Sequence, residues 1–185
     1  MSAKHLIKIA IDGANVGRSR FNDPEYTGDA RRAFDTRREE AGVHCKPIHA
    51  NAILAVFQHI MRANVSSNVE YMPMIFVHTH VLDGGRNRAM HAFMADKLLT
   101  DEMKPYVTTV PSGRDDDIAQ LTYLKRENEN GCPTFIVSND LFSEHLQSGL
   151  VSAELLKKCL IGFTFVADST DVLLMKPECE ELVDL

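Results

Sequence analysis

Five short apolar runs alternate with helix-forming segments along this 185-residue chain, and that alternation limits the folds open to it. The runs are Leu6–Ile11, Met74–Val77, Val107–Val110, Thr134–Val137 and Phe163–Val166. Ile48–Ala63 has apolar residues at Ile48, Ala52, Leu54, Ala55, Val56, Ile60 and Met61, lacks Gly and Pro, and reads as a helix. Arg88–Leu99 reads as a second helix, with Met90, Phe93, Met94, Leu98 and Leu99 on one side. Asp115–Asn128 reads as a third. It opens with acids, which the macrodipole favours there, and stops at Asn130-Gly131 before Pro133. Phe142–Gln147 is a short fourth helix. Strand alternating with helix predicts a parallel sheet covered on both faces. Right-handed crossovers then bring the C-terminal ends of all strands to one edge, where such sheets bind ligands.

Composition narrows the class. With 44% hydrophobic and 25% charged residues, the chain is neither disordered nor collagen-like. Lys, Asp, His or Gly breaks every apolar run, so no transmembrane helix fits, and Met1–Lys8 lacks the apolar stretch of a secretory signal. Cys45, Cys132, Cys159 and Cys179 are isolated and fit no zinc-finger spacing. Free thiols point to an intracellular chain, with the cytoplasm as the expected compartment and the nucleus still open. The net charge of −6 argues against non-specific nucleic-acid binding. Its distribution weakens that objection. Residues 171–185 hold Asp171, Glu178, Glu180, Glu181 and Asp184 against Lys176, which is −4 and leaves −2 for the first 170 residues. The expected organisation is one domain over 1–170 followed by an acidic tail over 171–185.

Gly17–Lys46 breaks the rhythm as a polar stretch of about thirty residues, longer than most connections in compact domains. Its seven cations (Arg18, Arg20, Arg31, Arg32, Arg37, Arg38, Lys46) nearly balance its six acids, for a net charge of +1. Mixed charge favours a solvated surface insertion, with a helix near Ala30–Glu40, slightly over a mobile lid or substrate arm.

The acids fall at equivalent topological places. Asp12 ends the first strand, Asp140 follows the fourth, and Asp115, Asp116 and Asp117 open the helix after the third. Each alone has an ordinary explanation as a cap or turn residue. Together they converge on one edge, and carboxylates packed together repel unless they share a cation or a proton. A hard divalent ion takes such oxygen ligands, and the set can bind a phosphodiester and activate water. Asn15, Ser138 and Asn139 stand where they can hydrogen-bond these carboxylates or orient water. Glu144 lies one turn beyond Asp140 if a helix starts there.

Three motifs now carry a family resemblance. Ile11-Asp12-Gly13-Ala14-Asn15-Val16-Gly17 resembles the opening motif of NYN/PIN-like ribonuclease domains, most closely the Regnase type, in which a strand ends in Asp-Gly-Ser-Asn-Val. Val110-Pro111-Ser112-Gly113-Arg114-Asp115-Asp116 is similar to that family's Pro-Ser and paired-Asp helix start. Ile136-Val137-Ser138-Asn139-Asp140 is similar to its Val-Ser-Asn-Asp strand end, and Phe163–Asp168 to its final strand. The resemblance spans roughly residues 6–168. It implies a PIN-like three-layer α/β/α sandwich with a central, mainly parallel sheet. It also implies a Mg²⁺- or Mn²⁺-dependent endoribonuclease acting on single-stranded or loop RNA. By the same resemblance Asp12, Asp115 or Asp116, and Asp140 hold the metal, Asn15 supports Asp12, and Glu144 stands at a further acidic position. Counting back from Ile118 places the family's second Asp at Asp115, whereas the pair itself selects Asp115 and Asp116. Ala14 replaces Ser, and the 17–46 stretch departs from the pattern. The zinc finger common to the Regnase type is missing, which leaves RNA affinity to this domain, a homodimer or an RNA-targeting protein partner.

Arg86 and Arg88, in the Gly-rich turn Gly84-Gly85-Arg86-Asn87-Arg88, are expected to contact RNA phosphates. Arg114 either clamps a phosphate or balances the neighbouring acids. Ser138 and Asn139 are placed to meet substrate as well. His78 and His80 share a strand end, but no third soft ligand lies nearby in sequence, so ordinary hydrogen bonding is the better account. Phe21 and Tyr26 are candidates for base stacking. The competing reading is a PIN-like scaffold that binds RNA or protein without cleaving. A phosphatase or nucleotide-binding domain fits less well, because no Gly-rich strand-to-helix fingerprint is present.

Overall fold

The computed structural model describes residues 5–66, 68–82, 91–167, 169–177, 182 and 185. In chain order the strands are β1 (His5–Asp12), β2 (Ile48–His49), β3 (Val69–His78), β4 (Ala92–Phe93), β5 (Val107–Val110), β6 (Thr134–Val137), β7 (Leu160–Phe165) and β8 (Val172–Met175). The helices are α1 (Gly13–Gly17), α2 (Gly28–Glu40), α3 (Ala50–Ser66), α4 (Thr79–Leu82), α5 (Asp116–Glu129), α6 (Ser143–Gln147) and α7 (Ala153–Cys159). Six strands form the central sheet in the order β5-β3-β1-β6-β7-β8, and β2 pairs with β4 separately. All neighbours in the central sheet are parallel except β7 and β8.

Strand β1 shows how sequence sets the layers. Its side chains alternate, so Ile7, Ile9 and Ile11 point to one face and Lys8, Ala10 and Asp12 to the other. Lys8 Nζ meets Glu127 Oε2 of α5 at 2.7 Å, which makes the second face the α5 face. Asp12 therefore points toward the layer that α5 occupies. The three isoleucines are wholly buried, each contributing about 1.5–3 kcal/mol. In parallel register Asp12 lies beside Phe76 of β3, and Ile11 beside Val137 of β6. The ends of three central strands are thus level with one another.

Several expected elements shift. The helix expected over 88–99 does not extend beyond His91. Residues 92–93 are strand β4, Met94 takes a left-handed backbone (φ 59°), and Ala95–Leu98 is a 3₁₀ turn. Pairing of Ala92 with Ile48 and of Phe93 with His49 overrides the local helical pattern. The same pairing takes Ile48 and His49 out of the expected 48–63 helix. The expected strand at 163–166 begins earlier, at Leu160, directly after α7. Val172–Met175 pairs antiparallel with β7, and Leu182 is buried. The 17–46 stretch contains α2, and Phe34 and Asp23 are buried. Cys45, Cys132 and Cys159 form no disulfide, and Cys179 lies outside the described residues. Among the described residues, no helix is long and apolar enough to cross a membrane.

Candidate metal centre

At the strand ends, local chemistry turns each acid toward a common cleft. Asp12 caps α1, its Oδ1 accepting the Asn15 backbone N–H at 2.9 Å. Its Oδ2 accepts the Ser138 hydroxyl at 2.8 Å. Gly13 permits the sharp entry into α1, since a Cβ there would meet the Phe76 carbonyl oxygen at 2.5 Å and the Val77 side chain. After β6, the Ser138 Oγ accepts the Asp140 N–H at 3.0 Å, and Asp140 Oδ1 accepts the Phe142 N–H at 2.7 Å. Asn139 bridges to β7: its amide donates to the Phe163 carbonyl (2.9 Å) and accepts the Phe163 N–H (3.0 Å). The Asn139 N–H donates to Asn15 Oδ1 at 2.9 Å, joining the β1 and β6 loops directly.

The third acidic group opens α5. Asp115 is its N-cap, with an extended backbone and Oδ1 accepting the Asp117 N–H at 2.9 Å. Asp116 Oδ1 lies 3.2 Å from His78 Nε2. His145 Nε2 lies 3.5 Å from both Asp115 Oδ2 and Asp117 Oδ2, and these three offer ligand atoms close enough to share one cation. Asp12, Asp116, Asp117 and Asp140 line one open cleft of about 550 Å³ together with Asn15 and Asn139.

The electrostatics show an uncompensated cluster. Burial pushes the Asp12 carboxyl up to about 6, with Asp116 and Asp140 adding repulsion and the Asn15 and Ser138 hydrogen bonds opposing it. Asp117 is pushed up to about 7, first by burial and then by repulsion from Asp12, Asp116, Asp115 and Asp140. Among the described residues, no Lys or Arg forms an ion pair with Asp12, Asp116, Asp117 or Asp140. Hard oxygen donors, mutual repulsion and an open approach are the conditions a divalent cation satisfies.

No family model matches the chain, and no curated protein does. Among solved structures it is similar to nuclear proteinaceous RNase P 2 (PRORP2) from A. thaliana. The TM-score is 0.51 and the identity 18%, over 91% of this chain. A second structure, of the Arabidopsis thaliana nuclear protein-only RNase P 2, gives a TM-score of 0.49 at 17% identity. This chain spans 29% of the length of either. The likeness shows the fold: an α/β/α sandwich around a mainly parallel sheet.

The expected residues fare unequally. Asp12, Asn15, Asp116 and Asp140 meet at the cleft. In the Asp115–Asp117 run, the cleft-lining pair is Asp116 and Asp117. Asp115 is exposed because a capping residue folds its side chain over the helix end. Asp117, read in the sequence as part of the converging acidic run but not as a metal residue, lines the cleft as well. Glu144 is exposed and outside the cleft lining. Phe142 takes a left-handed backbone (φ 49°), so α6 starts at Ser143 rather than at Asp140, and His145 is the residue that reaches the acids.

Ser138 is wholly buried against Asp12 and presents nothing to substrate. Asn139 lines the cleft, but its amide is occupied by Phe163. Arg114 faces a different groove, along α5 with Pro111, Ile118 and Tyr123. Arg86 and Arg88 lie outside the described residues. Phe21 packs edge-on against Phe165, and Tyr26 packs against Phe34, His49 and Phe93; neither lines the acidic cleft. His78 stacks on His80, whose ring also meets His91 edge-on. Burial, then the neighbouring rings, holds His80 below the ordinary imidazole range.

Proposed function

We propose that this chain is a metal-dependent endoribonuclease that hydrolyses phosphodiester bonds of single-stranded or loop RNA, with motifs nearest the Regnase type. The observation behind it is the meeting of Asp12, Asp116, Asp117 and Asp140, from three separate strand ends, around one cleft without a pairing Lys or Arg among the described residues. Mg²⁺ or Mn²⁺ would be held by these carboxylates, with Asp115 and His145 alongside. When bound, the ion supplies Lewis-acid stabilisation of charge at phosphorus and activates water. The protein's part is preorganisation. Ser138 and the Asn15 N–H fix both oxygens of Asp12, so that carboxylate needs no reorientation as charge develops. The Asn15–Asn139 bond holds the Asp12 and Asp140 loops at a set spacing. RNA as the substrate class is supported by the motif resemblance and by the fold shared with an RNase P. Choice of a particular RNA would then fall to a second copy or a protein partner.

Labelled single-stranded RNA incubated with the purified protein should be cut in Mn²⁺ or Mg²⁺ and left intact in EDTA. Asp12→Asn and Asp140→Asn should each abolish cutting while keeping the native circular dichroism spectrum. Wild-type cutting rates in both variants would remove the nuclease reading and leave the binding scaffold.

A further inference from the structure

The cleft is also lined by cations that the acids do not explain. Arg18, Arg20 and Lys46 line it, all exposed and all from the 17–46 insertion. None of the three is ion-paired with an acid among the described residues. Other cations of the same insertion behave differently: Arg31 and Arg32 pair with Asp35 and Asp29 on α2. The insertion is pinned to the body of the domain. Asp23, 4% exposed, accepts from Asn51 Nδ2 at 2.8 Å and the Glu25 N–H at 3.0 Å, and meets His49 Nδ1 at 3.1 Å. Glu25 pairs with Lys97, and the buried Arg38 donates to the Cys45 carbonyl, next to Lys46. Asp23, near Arg18 and Arg20 in sequence, thus ties that part of the insertion to His49 and Asn51, while the Arg38–Cys45 contact beside Lys46 lies within the insertion.

We infer that Arg18, Arg20 and Lys46 form a preformed clamp for the phosphates of single-stranded RNA flanking the bond over the acidic floor. This rests on the ribonuclease reading and adds to it the residues that hold the strand. An acidic floor alone repels a polyanion. Three unpaired cations lining the same cleft counter that repulsion. Arginine suits the task through its forked donors. The insertion then serves as a fixed substrate arm rather than a solvated loop.

Counterion release makes the clamp measurable. Each phosphate neutralised on a single strand contributes about 0.7 to the slope of log affinity against log salt, so three cations contribute about 2. Between about 50 and 200 mM KCl, the wild type should lose roughly 20-fold more affinity than a variant without the clamp. The test is binding of a fluorescently labelled oligouridylate to the full chain in EDTA, which stops divalent-dependent cutting, across a KCl series. The triple variant Arg18→Gln, Arg20→Gln, Lys46→Gln should bind weakly with the slope reduced by about 2. A control triple, Arg37→Gln, Lys125→Gln, Lys157→Gln, removes the same charge from exposed positions elsewhere and should match the wild type. Equal slopes in the clamp variant and the wild type overturn the clamp, as does a control that weakens equally, or a wild type that binds no RNA. Mn²⁺-dependent cutting by the wild type would still stand in each case, so the two readings fail separately.

Discussion

Replacing Asp12 with Asn isolates the cost of a bare carboxylate at the buried end of β1. The side chain is 2% exposed, and burial pushes its carboxyl from the ordinary 3.8 to about 6. At about 1.4 kcal/mol for each pH unit, ionised Asp12 lowers folding stability by about 3 kcal/mol. Between the two values the folded chain binds more protons than the unfolded chain. Stability from this group is thus present in full below 3.8 and lost as pH rises through about 6. Asn keeps an acceptor for the Asn15 N–H but places an amino group where the Ser138 hydroxyl donated, which costs about 1 kcal/mol. The net gain near neutral pH is about 2 kcal/mol, or about 4–8 °C in Tm for a chain of this length.

Thermal melts followed by circular dichroism in EDTA, from about pH 4 to about pH 8, read this directly. Asp12→Asn should melt higher than the wild type near pH 8, and the gap should close toward pH 4. Adding Mn²⁺ should raise the wild-type Tm and move the variant less, because an ion that binds only the folded state stabilises it. A variant that melts below the wild type near pH 8, or a gap that ignores pH, refutes the reasoning that burial and crowding destabilise this carboxylate.

Asp23 carries the opposite sign. Burial alone would raise its carboxyl, but hydrogen bonds from His49, Asn51 and the Glu25 N–H hold it below the ordinary 3.8. Its contribution is present above that value and lost as pH falls through its folded value, and Asp23→Ala should cost about 3 kcal/mol in urea titrations by leaving buried partners unpaired. Gly13→Ala forces a methyl group against the Phe76 carbonyl and should cost about 2–3 kcal/mol, read as a lower urea midpoint, with loss of cutting as α1 shifts. Asn139→Ala removes both bonds to the Phe163 backbone and should cost about 2 kcal/mol by the same titration, leaving β6 and β7 less well joined.

The central sheet was legible because its strands are short apolar runs that end in turn residues. Val107–Val110 and Thr134–Val137 coincide with β5 and β6, and the α5 boundaries differ from expectation by one residue at each end. The acids were legible for a related reason. A residue at the end of a parallel strand has its position set by the sheet and its direction by parity, so Asp12 could only point to the α5 face. Residues 92–99 were misread because their apolar spacing fits a helix, while the pairing of Phe93 with His49 depends on a residue more than forty positions away. Glu144 was misread because the left-handed turn at Phe142 carries no Gly or Asn to announce it. His145 follows from the same turn.

The cations were hidden for a deeper reason. Counting charge over 17–46 gives +1, which suggests a neutral, solvated loop. Charge in space is sorted differently from charge in sequence. Four of the six acids of the insertion are taken up locally or inward: Asp29 and Asp35 by arginines of α2, Asp23 by His49 and Asn51, Glu25 by Lys97. Glu39, Glu40 and Arg37 stay on exposed positions of α2 away from the cleft lining, so the charged residues that the insertion brings to the cleft are Arg18, Arg20 and Lys46. The net charge of −6 is likewise a poor guide, since residues 171–185 hold −4 of it. A polyanion approaching the cleft responds to charges within about one Debye length, roughly 8 Å at physiological salt. At that range it meets the three cations and the four carboxylates of the cleft lining, which a divalent ion would neutralise in part. Metal and RNA would therefore each favour the other's binding: the ion removes the repulsion from the floor, and the bound phosphates supply the negative charge that holds the ion.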